Sequence, residues 1–289
     1  MNKKYVNFIL LSGVLMIIIF AFEKSQIIAL SVTNSFNIFI TRIFPFLFIM
    51  MVCNNLLTSL NFPYYLSKLF PHPYIYLFIM SLLSGSPINA VLINSFINQK
   101  ILTPKEGSIA LTFSTLNNPL FLLSYFKLIF LNQITIIKLF LIIYLSNFTI
   151  LIWAISKNPK LKYQAPINPI NIQKSLIFAI TSSIKNLINI LAIITFFKLI
   201  SDLFIPRDSS YTILIKGLIE LTQGLNALPQ LLLTTTIKEL LVIVILLFAG
   251  FSIHIQISNI LANHPINYKY FYLSRLILCI FGVIIVLST

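Results

Sequence analysis

Apolar residues run along this chain in long stretches, punctuated by short polar breaks rather than alternating with charged positions. Tyr5–Phe22, Thr135–Ile155 and Phe271–Leu287 are the cleanest of these runs. Each predicts a helix that crosses a hydrocarbon core of about 30 Å, a task for about 20 residues. Further spans are predicted at 43–60, 108–130 and within Ser175–Ile205. Between the first two spans, Gln26–Arg42 carries Ser31, Thr33, Asn34, Ser35 and Asn37 among apolar positions at helical spacing. That polarity predicts a helix lying in the membrane interface.

Two apolar segments are interrupted at their centres: "MSLLSGSPINAVLINSF" (Met80–Phe96) and "IKGLIELTQGLNALPQLLLTTT" (Ile215–Thr236). Each predicts a re-entrant hairpin. Two more hold a polar break within a span, "LNNPLF" (Leu116–Phe121) and "AGFSIHIQISN" (Ala249–Asn259). The order repeats. A basic residue, Arg42 or Lys185, opens a span, and a hairpin, a Lys-Glu pair (Lys105-Glu106 or Lys238-Glu239) and a broken helix follow. An odd number of spans separates the hairpins, so they enter from opposite faces. The fold class expected is an all-α polytopic membrane protein, an inverted repeat with two re-entrant hairpins, two broken helices and about seven full spans. Residues 1–25 form an N-terminal span, 26–156 the first repeat with a connecting span, 157–174 a basic linker, and 175–289 the second repeat with the last span.

Composition sharpens this picture. Of 289 residues, 58% are hydrophobic and 9% charged, with a mean hydropathy of +0.97. A soluble domain carries about a quarter charged residues, so most of this surface faces lipid. No small-residue cleavage site follows Phe22, so the first run reads as a retained span rather than a leader. The net charge of +14 does not point to nucleic acid, because the basic residues are scattered between spans. Lys3 and Lys4, and the cluster Lys157, Lys160, Lys162 and Lys174, mark the cytoplasmic side. Cys53 and Cys279 lie in apolar segments and read as packing residues.

Backbone groups left unpaired against lipid are costly, so a break at membrane depth survives only where protein buries it or where it lines a wet cavity. Paired breaks in two inverted halves point to a transporter's binding site, and half-helix N-termini suit an anionic group. The expected substrate site gathers Ser84, Gly85, Ser86, Pro87 and Asn89 with Asn117 and Asn118, Glu220, Thr222 and Gln223, and Ser252, His254 and Gln256. Gly85 permits the hairpin turn, and Pro87 suits the first turn of the returning half-helix. Glu220, an acid in an apolar hairpin, is the sharpest candidate. His254 is either a proton-linked switch or a packing histidine, and His72 and His264 read as solvated turn residues. No paired carboxylates, metal-ligand spacing, phosphate loop or nucleophile–base pair is present, so no catalytic or metal residue, no cofactor and no enzymatic activity are expected. The coupling ion is open. The partners expected are a small-molecule anion and the lipid bilayer, not nucleic acid, and a homo-oligomer is compatible with the chain.

The order "FPFLF" (Phe44–Phe48), "SGSPINA" (Ser84–Ala90), "LNNPLF", "IELTQGL" (Ile219–Leu225) and "GFSIHIQ" (Gly250–Gln256) resembles the YlbJ-type sporulation integral membrane proteins. These belong to the group with nucleoside-recognition gate domains and are similar in architecture to concentrative nucleoside transporters. The resemblance covers residues 36 to 285. It implies transport of dipicolinate across the outer forespore membrane by alternating access; a nucleoside or other small solute, or a non-transporting sporulation scaffold, are the alternatives. Ser86 stands where the family pattern has an aromatic, and the Asn-Asn-Pro break lacks a glycine found there.

Overall fold

A computed structural model describes residues 3–163, 165–167, 169–205 and 209–289; their regular secondary structure is helical, without a strand. After α1 (Lys3–Glu23) come α2 (Ser25–Ile38) and α3 (Phe44–Ser59), joined by a π-helical turn at Phe39–Ile43. The short α4 (Phe62–Leu69) precedes two antiparallel half-helices, α5 (Pro73–Ser84) and α6 (Ile88–Asn98). Then follow α7 (Pro104–Ser114), α8 (Pro119–Ile129) and α9 (Gln133–Lys157). Beyond the linker stand α10 (Ile172–Phe204), the half-helices α11 (Ser210–Ile219) and α12 (Leu221–Ala227), α13 (Thr235–Phe248), α14 (Gly250–Ile260) and α15 (Tyr268–Ser288). Five stretches among the described residues are long and apolar enough to cross a membrane: Ser25–Ser59, Gln133–Lys157, Ile172–Phe204, Thr235–Ile260 and Tyr268–Ser288.

Two expectations need correction. Gln26–Arg42 is not a separate interfacial helix, because it runs through the π-helical turn into α3 as one helical stretch from Ser25 to Ser59. Three of its polar side chains have partners inside the protein. Ser35 and Thr33 donate to carbonyls one turn back (2.7 and 2.8 Å), and Ser31 donates to Asp202 on α10 (2.8 Å). Arg42 and Lys185 likewise open nothing: both sit inside long helical stretches.

The packing pairs elements across the two halves. The α5–α6 hairpin packs on α7, and α11–α12 on α13. Helix α7 touches α9 and α15, and α13 touches the same two helices. Helix α6 meets α14, while α12 meets α8. Helices α2 and α3 lie along α10, where Asn55 donates to Ser183 (3.1 Å). The linker is fastened too. Tyr163 packs on Tyr76 and Phe96, and its N–H donates to the carbonyl of Pro71 (2.7 Å). Burial raises the Tyr163 phenol above its ordinary pKa.

The histidines expected to be solvated hold loops instead. His72 Nε2 donates to the carbonyl of Asn158 (3.0 Å) while its Nδ1 accepts from the N–H of Tyr74 (3.2 Å). His264 Nε2 donates to Asn94 Oδ1 (2.8 Å), joining the α14–α15 turn to α6.

Candidate functional site

The helix breaks determine what the site contains, since each must dispose of its backbone groups. At the first hairpin Gly85 adopts φ +77°, a conformation that L side chains rarely adopt, and the Ser86–Pro87 peptide is cis. Helix α6 starts at Ile88, so Pro87 stands one residue before the first turn rather than in it. The hairpin tip is tied directly to the α7–α8 break. Ser86 N–H donates to the carbonyl of Leu116 (2.8 Å), and Asn118 Nδ2 donates to that of Leu83 (2.6 Å). A Cβ on Gly85 would stand 3.2 Å from Asn118 N.

The α7–α8 break leaves the last carbonyls of α7 without helical partners, and side chains from other helices take them. Arg275 on α15 donates to the carbonyls of Thr115 (3.1 Å) and Thr112 and to Asn147 Oδ1 (3.2 Å). Tyr144 donates to the carbonyl of Asn117 (2.8 Å). Asn118 Oδ1 caps α8, accepting from the N–H groups of Leu120 and Phe121. In the second half Glu220 is extended, and its carboxylate caps α12, accepting from Thr222 Oγ1 and from Gln223 N–H (3.1 Å). The α13–α14 break is a left-handed pair, Ala249 (φ +71°) and Gly250 (φ +65°). A Cβ on Gly250 would stand 3.2 Å from Leu221 N, so this break presses on the second hairpin as the first hairpin presses on the first break.

All four breaks meet at one narrow cavity. Gly85, Ser86, Pro87, Asn117, Asn118, Glu220, Thr222, Ser252 and Gln256 line it, nine of the positions expected from the sequence. Four half-helices, α6, α8, α12 and α14, begin at its wall, α12 being capped there by Glu220, and Ser86 Oγ has no hydrogen-bond partner. The rest of the wall is apolar, including Ile43, Leu47, Phe121, Ile190 and Ile194. The only charged side chain lining the cavity among the described residues is Glu220.

The other expected site residues face elsewhere. Ser84 donates back to the carbonyl of Met80 (2.7 Å). Asn89 pins α6 to the end of α7 through Ser114 (3.3 Å) and Thr115 (3.2 Å). His254 lies outside the cavity in a nest of Phe248, Phe251, Phe271 and Tyr272, where its Nε2 donates to the carbonyl of Phe248 (2.7 Å). It takes the packing role. Gln223 lines a separate recess.

Two recesses flank the cavity. One, of about 870 Å³, lies among α6, α10 and α14 and shares Pro87, Ile190 and Gln256 with it. The other, of about 1010 Å³, lies among α2, α10 and the second hairpin and is polar, with Asn34, Asn37, Arg42, Lys198, Asp202 and Lys216 in its wall. Helix α10 connects the three spaces. Asn186, Ile190, Ile194, Lys198 and Asp202 recur every four residues and so form a stripe that winds slowly around the helix. The stripe reads polar, then apolar, then charged, and lines the first recess, the cavity and the second recess in that order. Its five positions extend over about 24 Å of helix.

That stripe and Arg275 escape a reading of the sequence by runs, although both leave a signal. The stripe is visible as a four-residue period, and Arg275 as a lone charge in the run Phe271–Leu287. No group of three or more His, Cys, Asp or Glu suited to a metal ion occurs among the described residues. Comparison of the chain with protein-family models, curated proteins and solved structures finds no match.

Proposed function

We propose that this chain is a membrane transporter that moves a small solute by alternating access around the central cavity. The observation that carries the reading is the meeting of four helix breaks at one cavity, with a recess on either side of it along α10. In this reading α1, α2–α3, α7–α8, α9, α10, α13–α14 and α15 are seven full crossings, and α5–α6 and α11–α12 are re-entrant hairpins from opposite faces. The exchange of contacts between halves supports an inverted repeat, since α6 on α14 and α12 on α8 are the same contact under a twofold operation. Charge supports it too. The face holding Lys3, Lys4, Lys68, Lys100, Lys105, Lys157, Lys160, Lys162, Lys174 and Lys269 carries one acid, Glu106, and is cytoplasmic by the positive-inside rule.

The solute is a small anion. Helix N-termini of α6, α8 and α14 supply partial positive charge at the cavity wall. Ser86, Asn117 and Ser252 add polar groups, and Phe121 and the isoleucines offer apolar faces to a planar ring. With the resemblance to YlbJ-type proteins, the candidate is dipicolinate, moved across the outer forespore membrane. Glu220 favours a second reading. A carboxylate that is the only charged side chain in the cavity wall among the described residues suits a neutral solute such as a nucleoside.

Uptake into proteoliposomes separates these. Saturable uptake of pyridine-2,6-dicarboxylate is expected, with Ser86→Ala raising KM about fivefold for one lost hydrogen bond. Uridine uptake without dicarboxylate uptake would assign the neutral solute. Passage of neither would overturn transport and leave the scaffold.

A further inference from the structure

The recess between α2, α10 and the second hairpin carries more positive charge than its packing requires. Arg42, Lys198 and Lys216 line it with one acid, Asp202. Asp202 is already engaged by Lys198 (2.8 Å), by Ser31 (2.8 Å) and at longer range by Lys216 (3.9 Å). Arg42 forms no ion pair among the described residues, and it sits in the π-helical turn, a distortion that recurs at functional sites. The turn sets adjacent residues on different spaces: Arg42 lines the recess and Ile43 the central cavity.

Gln223 is the independent observation. It is 5% exposed, it lines the recess, and both Nε2 and Oε1 of its carboxamide lack a hydrogen-bond partner. A buried amide left unpaired is destabilising, so its place on a charged wall marks where a polar ligand would bond. Gln223 also follows Thr222, a residue of the cavity wall, so the recess and the cavity meet at the second hairpin.

We propose that this recess is a second, outer binding site for small carboxylate anions, held by Arg42 and Gln223, from which the central cavity loads. Loading rests on the transport reading, whereas binding does not. A guanidinium offers a planar pair of donors that matches a carboxylate, and the carboxamide N–H₂ adds a third. The lysines supply attraction at longer range, which salt screens.

The test is calorimetric titration of the full chain in phosphatidylcholine nanodiscs with pyridine-2,6-dicarboxylate, where no anionic headgroup competes. Two sites are expected. Arg42→Gln should weaken one of them about tenfold and leave the other in place, while Ser86→Ala affects only the other. Arg42→Lys, which retains the charge, should recover part of the loss, and the site left in place in Arg42→Gln shows that the glutamine variant is folded. An unchanged isotherm in Arg42→Gln, or a single site sensitive only to Ser86→Ala, would overturn the outer site even if uptake is intact. Binding sensitive to Arg42→Gln without uptake would keep the site and remove the transport reading instead.

Discussion

Arg275 is buried at 1% exposure with no carboxylate among its hydrogen-bond partners; it is held by the carbonyls of Thr112 and Thr115 and the amide of Asn147. A cation in that position is stabilised because the C-terminal end of α7 carries partial negative charge and carbonyls with no helical partner. His254 also serves a helix end, donating its ring N–H to the carbonyl of Phe248 at the end of α13. Replacing Arg275 with Met should leave the carbonyls of Thr112 and Thr115 unpaired and cost about 3 kcal/mol. The measurement is the midpoint of thermal unfolding in detergent, with Arg275→Lys falling between the two. An unchanged midpoint would remove Arg275 from the support of the break. Residue by residue, the chemistry of the site was legible but its direction was not. Ser84 and Asn89 flank the hairpin tip in sequence, yet both turn to backbone or neighbouring helices, because the break spends nearby polar groups on its own unpaired atoms.

Among the elements, α12 is the least able to stand alone. Seven residues are too few for an isolated helix, so α12 depends on its cap at Glu220 and on contact with α11 and α13. That contact is close. A Cβ on Gly224 would stand 2.6 Å from Gly217 Cα and 2.8 Å from Ile245 Cδ1. Gly224→Ala should force the hairpin legs apart and cost about 1–3 kcal/mol, seen as a lower unfolding midpoint. Gly13→Ala on α1, where nothing lies within 4 Å of an added Cβ, is the control expected to show no loss. Equal midpoints for both variants would contradict the close packing of the legs. At this scale the sequence was most informative: every break it signalled is a break in the fold, because glycine, proline and asparagine cannot continue an apolar helix cheaply. The failure at Gln26–Arg42 has the opposite cause. Hydroxyls bonded back to their own helix and to α10 read as interfacial polarity until their partners are known.

Across the whole molecule, the two halves enclose a space that neither could form alone, since each contributes one hairpin tip and one broken helix to the cavity. The stripe on α10 runs from Asn186 to Asp202 past that space, and apolar side chains of Ile190 and Ile194 separate the recesses at its middle. Alternating access, as proposed, requires such a wall to part on either side in turn. The overall class was legible from composition and from the order of breaks. The path along α10 was not, because its stripe passes from polar through apolar to charged positions, which a count of hydrophobic residues averages away. The most direct measurement is labelling by a membrane-impermeant thiol reagent in proteoliposomes. Cys53 and Cys279 are first replaced by Ala, and Ser86→Cys or Ser252→Cys is introduced. Expected is modification of each from both faces of the membrane, slowed by the transported solute; modification from one face only, or from neither, would contradict a central cavity open to both sides in turn.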